Sequence, residues 1–158
     1  MIRIGFGFDT HKLESGKEFW LGGICIPHSK GAVGHSDADV LIHAICDALL
    51  GAAGLCDIGF HFPDTSPEFK GIDSKILLRR TYDLVRSKSF EIQNIDSTIV
   101  LQSPKVSNLI PAMITALSNV LEIKEDQISV KAKTSENLGF IGREEGVSAY
   151  AIVLIDKH

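Results

Sequence analysis

Cysteine is sparse in this chain, and its spacing rules out the usual uses. The three, Cys25, Cys46 and Cys56, are odd in number and never form a CxxC pair, which argues against a disulfide framework or a cysteine-built zinc module. Scattered free thiols point to a reducing compartment. No apolar run approaches the length of a membrane span, and the opening MIRIGFGFDTH lacks the basic-then-apolar layout of a secretory leader. Lysine and arginine never gather into a run, and a net charge of -4 gives no footing for nucleic acid. Linkers, low-complexity tracts and internal repeats are missing as well. These exclusions leave a soluble, cytoplasmic, single domain over 1–158, long enough to bury a core without disulfide or metal support.

What is present centres on Gly34 to Leu55, GHSDADVLIHAICDALLGAAGL. The pattern predicts a helix rising from a glycine-containing loop, with Ser36 as N-cap, Asp37 and Asp39 in the first turn and Gly54 at the far end. Val40, Leu41, Ala44, Ile45, Ala48 and Leu49 make one apolar stripe, and Cys46 belongs inside the same helix. Asp39, His43 and Asp47 recur every four residues along the stripe's edge, where a helix buried on one side can line a cleft. The plain alternative is a solvated row of acids around a histidine.

Before that helix, Ile2, Ile4, Phe6 and Phe8 alternate with Arg3, Gly5 and Gly7 as in a half-buried strand. The alternation carries on to Asp9 and His11, which then share a face. Glu18 to Pro27 reads as a short strand or hairpin around Gly22-Gly23, and Gly31 to Gly34 as loop. After the helix, Cys56 to Asp73 is long, proline-punctuated and aromatic, the composition of a loop that folds over something. A second helix, capped by Asp73 or Ser74, ends near Ser87. Strand 90–102, a third helix from about Ser107 to Leu121, and strand 128–132 follow. The last strand, Val147 to Ile155, is apolar almost throughout, which predicts burial on both faces and hints at a partner subunit.

Three chemistry-bearing segments adjoin these elements. Asp9 and His11 leave the first strand, His43 faces a cleft, and Thr134 to Glu136 leave a late strand. One carboxylate and two imidazoles suit a tetrahedral zinc with an open position, and Asp47 could hold the His43 imidazole in one tautomer. Backbone N–H groups at Gly34, His35 and Ser36 would favour an anion. The residues alone reach metal-assisted phosphoryl transfer.

Longer blocks go further. GFGFDTHKL, the GHSDADV to FPDT stretch with EFKGIDS, SPK, and KAKTSENLGFIGREEG closely resemble the 2-C-methyl-D-erythritol 2,4-cyclodiphosphate synthase family over nearly the whole chain. The resemblance implies an α/β (α+β) domain with a mixed four-stranded sheet, a small hairpin and helices on one face. The other face would lie toward the axis of a homotrimer with active sites between subunits. It implies cyclisation of 4-diphosphocytidyl-2-C-methyl-D-erythritol 2-phosphate, with CMP as leaving group, in the non-mevalonate route to isoprenoids. Asp9, His11 and His43 would hold Zn²⁺, and Glu136 a second divalent cation, Mg²⁺ or Mn²⁺. His35 and Thr134 would be catalytic, stabilising the reacting phosphates. Ser36, Asp57, Ile58 and Gly59 would orient the methylerythritol, beneath a lid of Phe62, Pro63, Asp64, Thr65 and Ser66. The cytidine pocket would take Leu101, Gln102, Ser103, Pro104, Lys105, Val106 and Ser107. Ala132, Lys133 and Ser135 would complete it, with Phe140, Arg143 and Glu145 near the trimer's central cavity.

The chain departs from the family pattern at three places. Phe6 stands where histidine is frequent, Lys133 replaces a threonine, and Glu144 replaces a glycine. None is a presumed ligand. Two rival readings use the same residues: a zinc-dependent phosphoester hydrolase with Asp47 as base, or a trimeric binding module whose structural metal is closed by His61.

Overall fold

The computed structural model describes residues 1–157. Its frame is a five-stranded sheet of order β4-β1-β7-β5-β6, built from β1 (Ile2–Ser15), β4 (Lys30–Val33), β5 (Phe90–Val100), β6 (Ile128–Lys133) and β7 (Gly146–Lys157). Only β5 and β6 run parallel, and the crossover such a pair needs is supplied by α4 (Ile110–Leu121). A hairpin of β2 (Phe19–Leu21) and β3 (Ile24–Ile26) stands apart from the sheet. The mixed sheet therefore has one strand more than expected. The extra one is Lys30–Val33, which overlaps the Gly31 to Gly34 stretch read from sequence as loop and pairs with the far end of β1 between Lys12 and Ser15.

α1 (Val40–Ala53) lies across β1 and β7 and is buried on nearly every side. α3 (Ser74–Ser87) packs outside it and α4 beside α3, so the three long helices share one layer. Two single turns, α2 (Ile58–His61) and α5 (Gly139–Gly142), complete the set. No helix among the described residues is long and apolar enough to cross a membrane.

The close seat of α1 on β1 depends on glycine. A Cβ on Gly5 would sit 1.8 Å from the Ala48 carbonyl oxygen, and one on Gly7 would sit 1.9 Å from that of Ala44. Gly5 and Gly7 therefore face the helix, with Ala44, Ala48 and Ala52 opposite. The large apolar residues of the first half of β1 point the other way: Ile2, Ile4, Phe6 and Phe8 are exposed. Tyr150 and Ile152 of β7 join them, with Phe8 opposite Tyr150 and Phe6 opposite Ile152. Burial of β7 on both faces is thus not met within one chain. Val147, Ala149, Ala151, Val153 and Ile155 are buried beneath the helices, while the alternate face carries an uncovered apolar stripe.

The start of α1 also differs from expectation. Asp39, not Ser36, is the N-cap, and neither Asp37 nor Asp39 lies in the first turn. The fully buried Asp39 carboxylate accepts from Ile42 N at 3.1 Å, Gly22 N at 3.0 Å and Gly23 N at 2.7 Å. One side chain thereby caps the helix and pins the β2–β3 turn to it, rather than lining a cleft. Gly54 ends the helix at φ 70°, as its sequence position implied.

Candidate active site

Strand geometry delivers Asp9 and His11 to one side of β1, and the glycine seat brings α1 close enough for His43 to meet them. Asp9 Oδ2 lies 2.8 Å from His11 Nε2 and 3.1 Å from His43 Nδ1, and the two ring nitrogens are 3.1 Å apart. Ligand atoms around a tetrahedral zinc, at about 2.0–2.1 Å from the ion, stand about 3.3 Å from one another. The triangle is nearly that size already. All three side chains are mostly buried, at 28%, 17% and 12% exposure for Asp9, His11 and His43. Among the described residues this is the one cluster able to hold a metal ion.

Electrostatics follow from the crowding. Burial pushes the Asp9 carboxyl upward, but hydrogen bonds and charge from His11 and His43 outweigh it and bring the pKa down to about 2. His11 loses charge preference to burial and regains more from Asp9, so its pKa is raised. The His11 Nδ1 lies 3.0 Å from the Val33 carbonyl oxygen, which only accepts. Nδ1 therefore carries the proton, and in the neutral ring Nε2 turns a lone pair into the triangle. That donor set fits a borderline-soft divalent ion such as zinc.

His11 and His43 form one wall of a cleft of about 550 Å³. Gly34, His35 and Ser36 line it, as do Ile58, Gly59, Phe62, Pro63, Asp64 and Thr65, all singled out from sequence. Phe69 and Leu77 also line it and were not anticipated. The segment expected as a lid borders this space: Phe62 packs edge-on against Phe69, and His35 Nε2 donates to the Ser66 carbonyl oxygen at 3.0 Å. Asp57 caps α2 through Phe60 N at 2.9 Å.

Asp47, expected beside the His43 imidazole, instead accepts the Ile58 N–H at 2.8 Å and so anchors the loop after α1. The polar neighbours of His43 Nε2 are hydroxyls, Ser74 at 2.9 Å and Ser36 at 3.1 Å. His61 points elsewhere, with Nε2 2.6 Å from the Leu55 carbonyl oxygen, and adds no fourth ligand.

The remaining candidates lie across the sheet. Leu101, Gln102, Pro104, Lys105, Val106 and Ser107 surround a second cleft of about 220 Å³ with Ala132, Lys133 and Thr134. Ser103 sits within that loop but not on the cleft wall. Asp9 pairs with Ala149, Ala149 with Ile99, and Ile99 with Ala132, so both clefts stand on one rung of the sheet. Three strand spacings separate them, about 14 Å. Glu136 is held locally, its N–H on Thr134 Oγ1 at 3.2 Å, with backbone in the left-handed region at φ 55°. One chain therefore does not bring Thr134 or Glu136 to the triad. Ser135 turns inward on the Leu138 carbonyl at 2.7 Å.

A third hollow, about 420 Å³, lies beside Thr10, Lys12, Phe140 and Glu145, with Arg143 paired to Glu145 at 2.7 Å. Glu144 sits at φ 58°, where glycine carries no strain and an L-residue costs about 1 kcal/mol. The departure noted from sequence thus has a backbone cost.

Comparison with known proteins places the chain in a family. A model of the YgbB family matches residues 2–156. The 2-C-methyl-D-erythritol 2,4-cyclodiphosphate synthase of Bacteroides fragilis is 59% identical over 156 residues, covering 99% of this chain and 98% of its own. That of Porphyromonas gingivalis is 60% identical over 154 residues, covering 98% and 95%. Among solved structures, a CDP-bound 2C-methyl-D-erythritol-2,4-cyclodiphosphate synthase superposes with TM-score 0.90 at 40% identity, covering 98% of this chain and 100% of that one. The bifunctional IspDF from Campylobacter jejuni gives 0.96 at 43% identity, and this chain spans only 43% of it. With the family model matching almost end to end and relatives near 60% identity, the chain belongs to the YgbB family.

Proposed function

We propose that the protein is a cytoplasmic 2-C-methyl-D-erythritol 2,4-cyclodiphosphate synthase, converting 4-diphosphocytidyl-2-C-methyl-D-erythritol 2-phosphate to the cyclic diphosphate and CMP. The observation that carries this reading is the Asp9–His11–His43 triangle, sized for a tetrahedral metal at the wall of a roomy cleft. Family membership supplies the reaction.

Asp9, His11 and His43 would hold Zn²⁺, and Glu136 a second divalent cation, Mg²⁺ or Mn²⁺. When bound, these ions supply the positive charge that lets one anionic phosphate approach another. The protein's own groups do the rest. The substrate's 2-phosphate is the nucleophile, so no side chain need attack. His35 can turn its ring N–H from Ser66 to a phosphate oxygen, and Thr134 offers a hydroxyl to the same charge as it develops. Ser36, Asp57, Ile58 and Gly59 would orient the methylerythritol under the Phe62–Ser66 lid. The second cleft would take the cytidine, with Lys105 and Lys133 toward its phosphate.

The separation of the two clefts on one chain favours a homotrimer, in which the triad of one subunit faces the nucleotide cleft of the next. The exposed stripe of Ile2, Ile4, Phe6, Phe8, Tyr150 and Ile152 supplies an apolar surface for the threefold contact. Phe140 and Arg143 would then lie near its central cavity. The hydrolase alternative gains no support: its candidate base, Asp47, is engaged by Ile58, and the relatives are named synthases.

Phosphorus NMR of the protein with substrate and Mg²⁺, with and without chelator, tests the reading. Cyclic diphosphate and CMP should appear together and vanish with chelator. CMP with a linear product would overturn it in favour of the hydrolase.

A further inference from the structure

We infer that Asp37 and Ser74 are positioning residues that keep the His43 proton on Nε2, so that Nδ1 stays bare toward Asp9 and His11. The inference rests on reading that triangle as a metal site, and it assigns work to two residues outside it.

The argument is one of donor accounting. The Asp37 carboxylate can only accept. Its Oδ2 takes the Ser74 N–H at 2.8 Å, and its Oδ1 takes the Asp39 N–H at 3.1 Å. The Ser74 hydroxyl lies against the same Oδ1 in a short contact. A hydroxyl has one proton, and the competing acceptors, Ser36 Oγ at 3.5 Å and a bare His43 Nε2 at 2.9 Å, are neutral where Asp37 is charged. The Ser74 proton therefore goes to Asp37, leaving Ser74 Oγ with lone pairs only. His43 Nε2 is 2.9 Å from that oxygen, so Nε2 must donate. Ser36 Oγ, at 3.1 Å, can accept from the same N–H while itself receiving the Ala38 N–H at 3.3 Å.

This direction is needed because Asp9 pulls the opposite way. In a metal-free chain the Asp9 carboxylate, 3.1 Å from His43 Nδ1, would draw the ring proton onto Nδ1 and block the ligand atom. Asp37, acting through Ser74, holds it on the far side. Ser74 is fully buried, so solvent cannot take over from the hydroxyl. The same carboxylate ties the loop ahead of α1 to the first residue of α3, fixing the relay's geometry. Carboxylates behind metal-bound imidazoles act this way, and losing such a partner costs about 10–100-fold in metal affinity.

The test uses full-length protein labelled with ¹⁵N-histidine at pH 8. Long-range ¹H–¹⁵N spectra report which ring nitrogen carries the proton, and the His43 signals are assigned by their loss in His43→Gln. In zinc-free wild type the His43 proton is expected on Nε2. In zinc-free Ser74→Ala it should shift toward Nδ1, with zinc affinity about 10–100-fold weaker by chelator competition. Asp37→Asn should move both readouts the same way, because an amide can donate to Ser74 and turn its hydroxyl toward His43. A proton on Nδ1 in zinc-free wild type overturns the relay, even if neither variant folds. So does a folded Ser74→Ala with unchanged tautomer and zinc affinity. Wild type that binds no zinc would instead overturn the metal reading beneath it.

Discussion

Gly7→Ala puts the glycine seat and the metal site under one perturbation. The new Cβ would fall 1.9 Å from the Ala44 carbonyl oxygen and 2.7 Å from the Ala48 nitrogen, both helix backbone that cannot rotate aside. To relieve the overlap, α1 must withdraw from β1 by roughly an ångström. Overpacking of this kind costs about 1–3 kcal/mol, and the upper end applies when backbone is the obstacle. At about 2–4 °C per kcal/mol for a chain of this size, melting should fall by about 5–10 °C. His43 precedes Ala44, and Asp9 lies two residues beyond Gly7. Withdrawal therefore stretches the 3.1 Å Asp9–His43 gap past the spacing a tetrahedral ion can bridge, and zinc affinity should drop at least about tenfold. Gly5→Ala is the control. It meets the Ala48 oxygen at 1.8 Å, one helical turn farther from His43, so it should cost similar stability with less effect on zinc. Thermal melts in chelator and zinc competition at pH 8 give both numbers. Gly7→Ala that melts and binds zinc like wild type would refute the claim that the glycine seat sets the site.

Other substitutions and conditions probe the remaining claims. Gly51 lies in α1 with open space where a Cβ would go, so Gly51→Ala should stabilise by about 0.5–1 kcal/mol in a thermal melt. His43→Ala should abolish stoichiometric zinc by elemental analysis while leaving the circular dichroism unchanged; retained zinc would refute the ligand assignment. Burial pushes the Cys46 thiol up to about 12, whereas Cys25 and Cys56 are exposed, so a thiol reagent at pH 8 should titrate two cysteines in the native chain and the third after unfolding. The Asp9–His11 pair gives the zinc-free chain a definite pH profile. Asp9, lowered from 3.8 to about 2, contributes stability above pH 3.8 that is lost as pH falls through about 2. His11, raised from 6.5, contributes fully below 6.5 and loses it as pH rises through the raised value. The pair should thus stabilise zinc-free protein most between pH 3.8 and 6.5, whereas added zinc should stabilise increasingly toward pH 8 as the proton leaves His11. Melting curves with and without chelator that run parallel across that range would contradict both halves.

Legibility in the sequence followed the range over which each feature is encoded. The long helices, β5 and β7 carry their signal in local periodicity, and Asp9 and His11 were paired by the two-residue repeat of a strand. Lys30–Val33 is a strand only because Lys12–Ser15 lies beside it, and four residues cannot announce a distant partner. Ser36 reads as the cap because Asp37 and Asp39 after it suit the first turn of a helix. The choice was made by the Gly22-Gly23 turn, whose N–H groups need the Asp39 carboxylate. Asp47 was favoured beside His43 by helical spacing, whereas the residue that arrives there, Ser74, is 31 positions away.

Alternation in β1 was legible, but its sense was not. Periodicity states that Gly5 and Gly7 oppose Ile4, Phe6 and Phe8, without saying which set meets the helix. Hydrophobicity alone votes for the large residues, and here it loses to shape. The ridge of Ala44, Ala48 and Ala52 was a usable clue, since alanines at helical spacing allow a backbone to approach that only glycines can receive. Once the glycines take the helix side, the large residues must face out, and one chain has nothing to cover them. The same geometry leaves Thr134 and Glu136 three strands from the metal triangle. An apolar face without a cover and a second cleft three strands from the Asp9–His11–His43 triangle are separate deficits in a monomer. Under the proposed trimer a single subunit contact answers both, which is why disrupting that face, for example with Phe8→Asp, should reduce turnover and trimer mass together while the isolated triad still binds zinc.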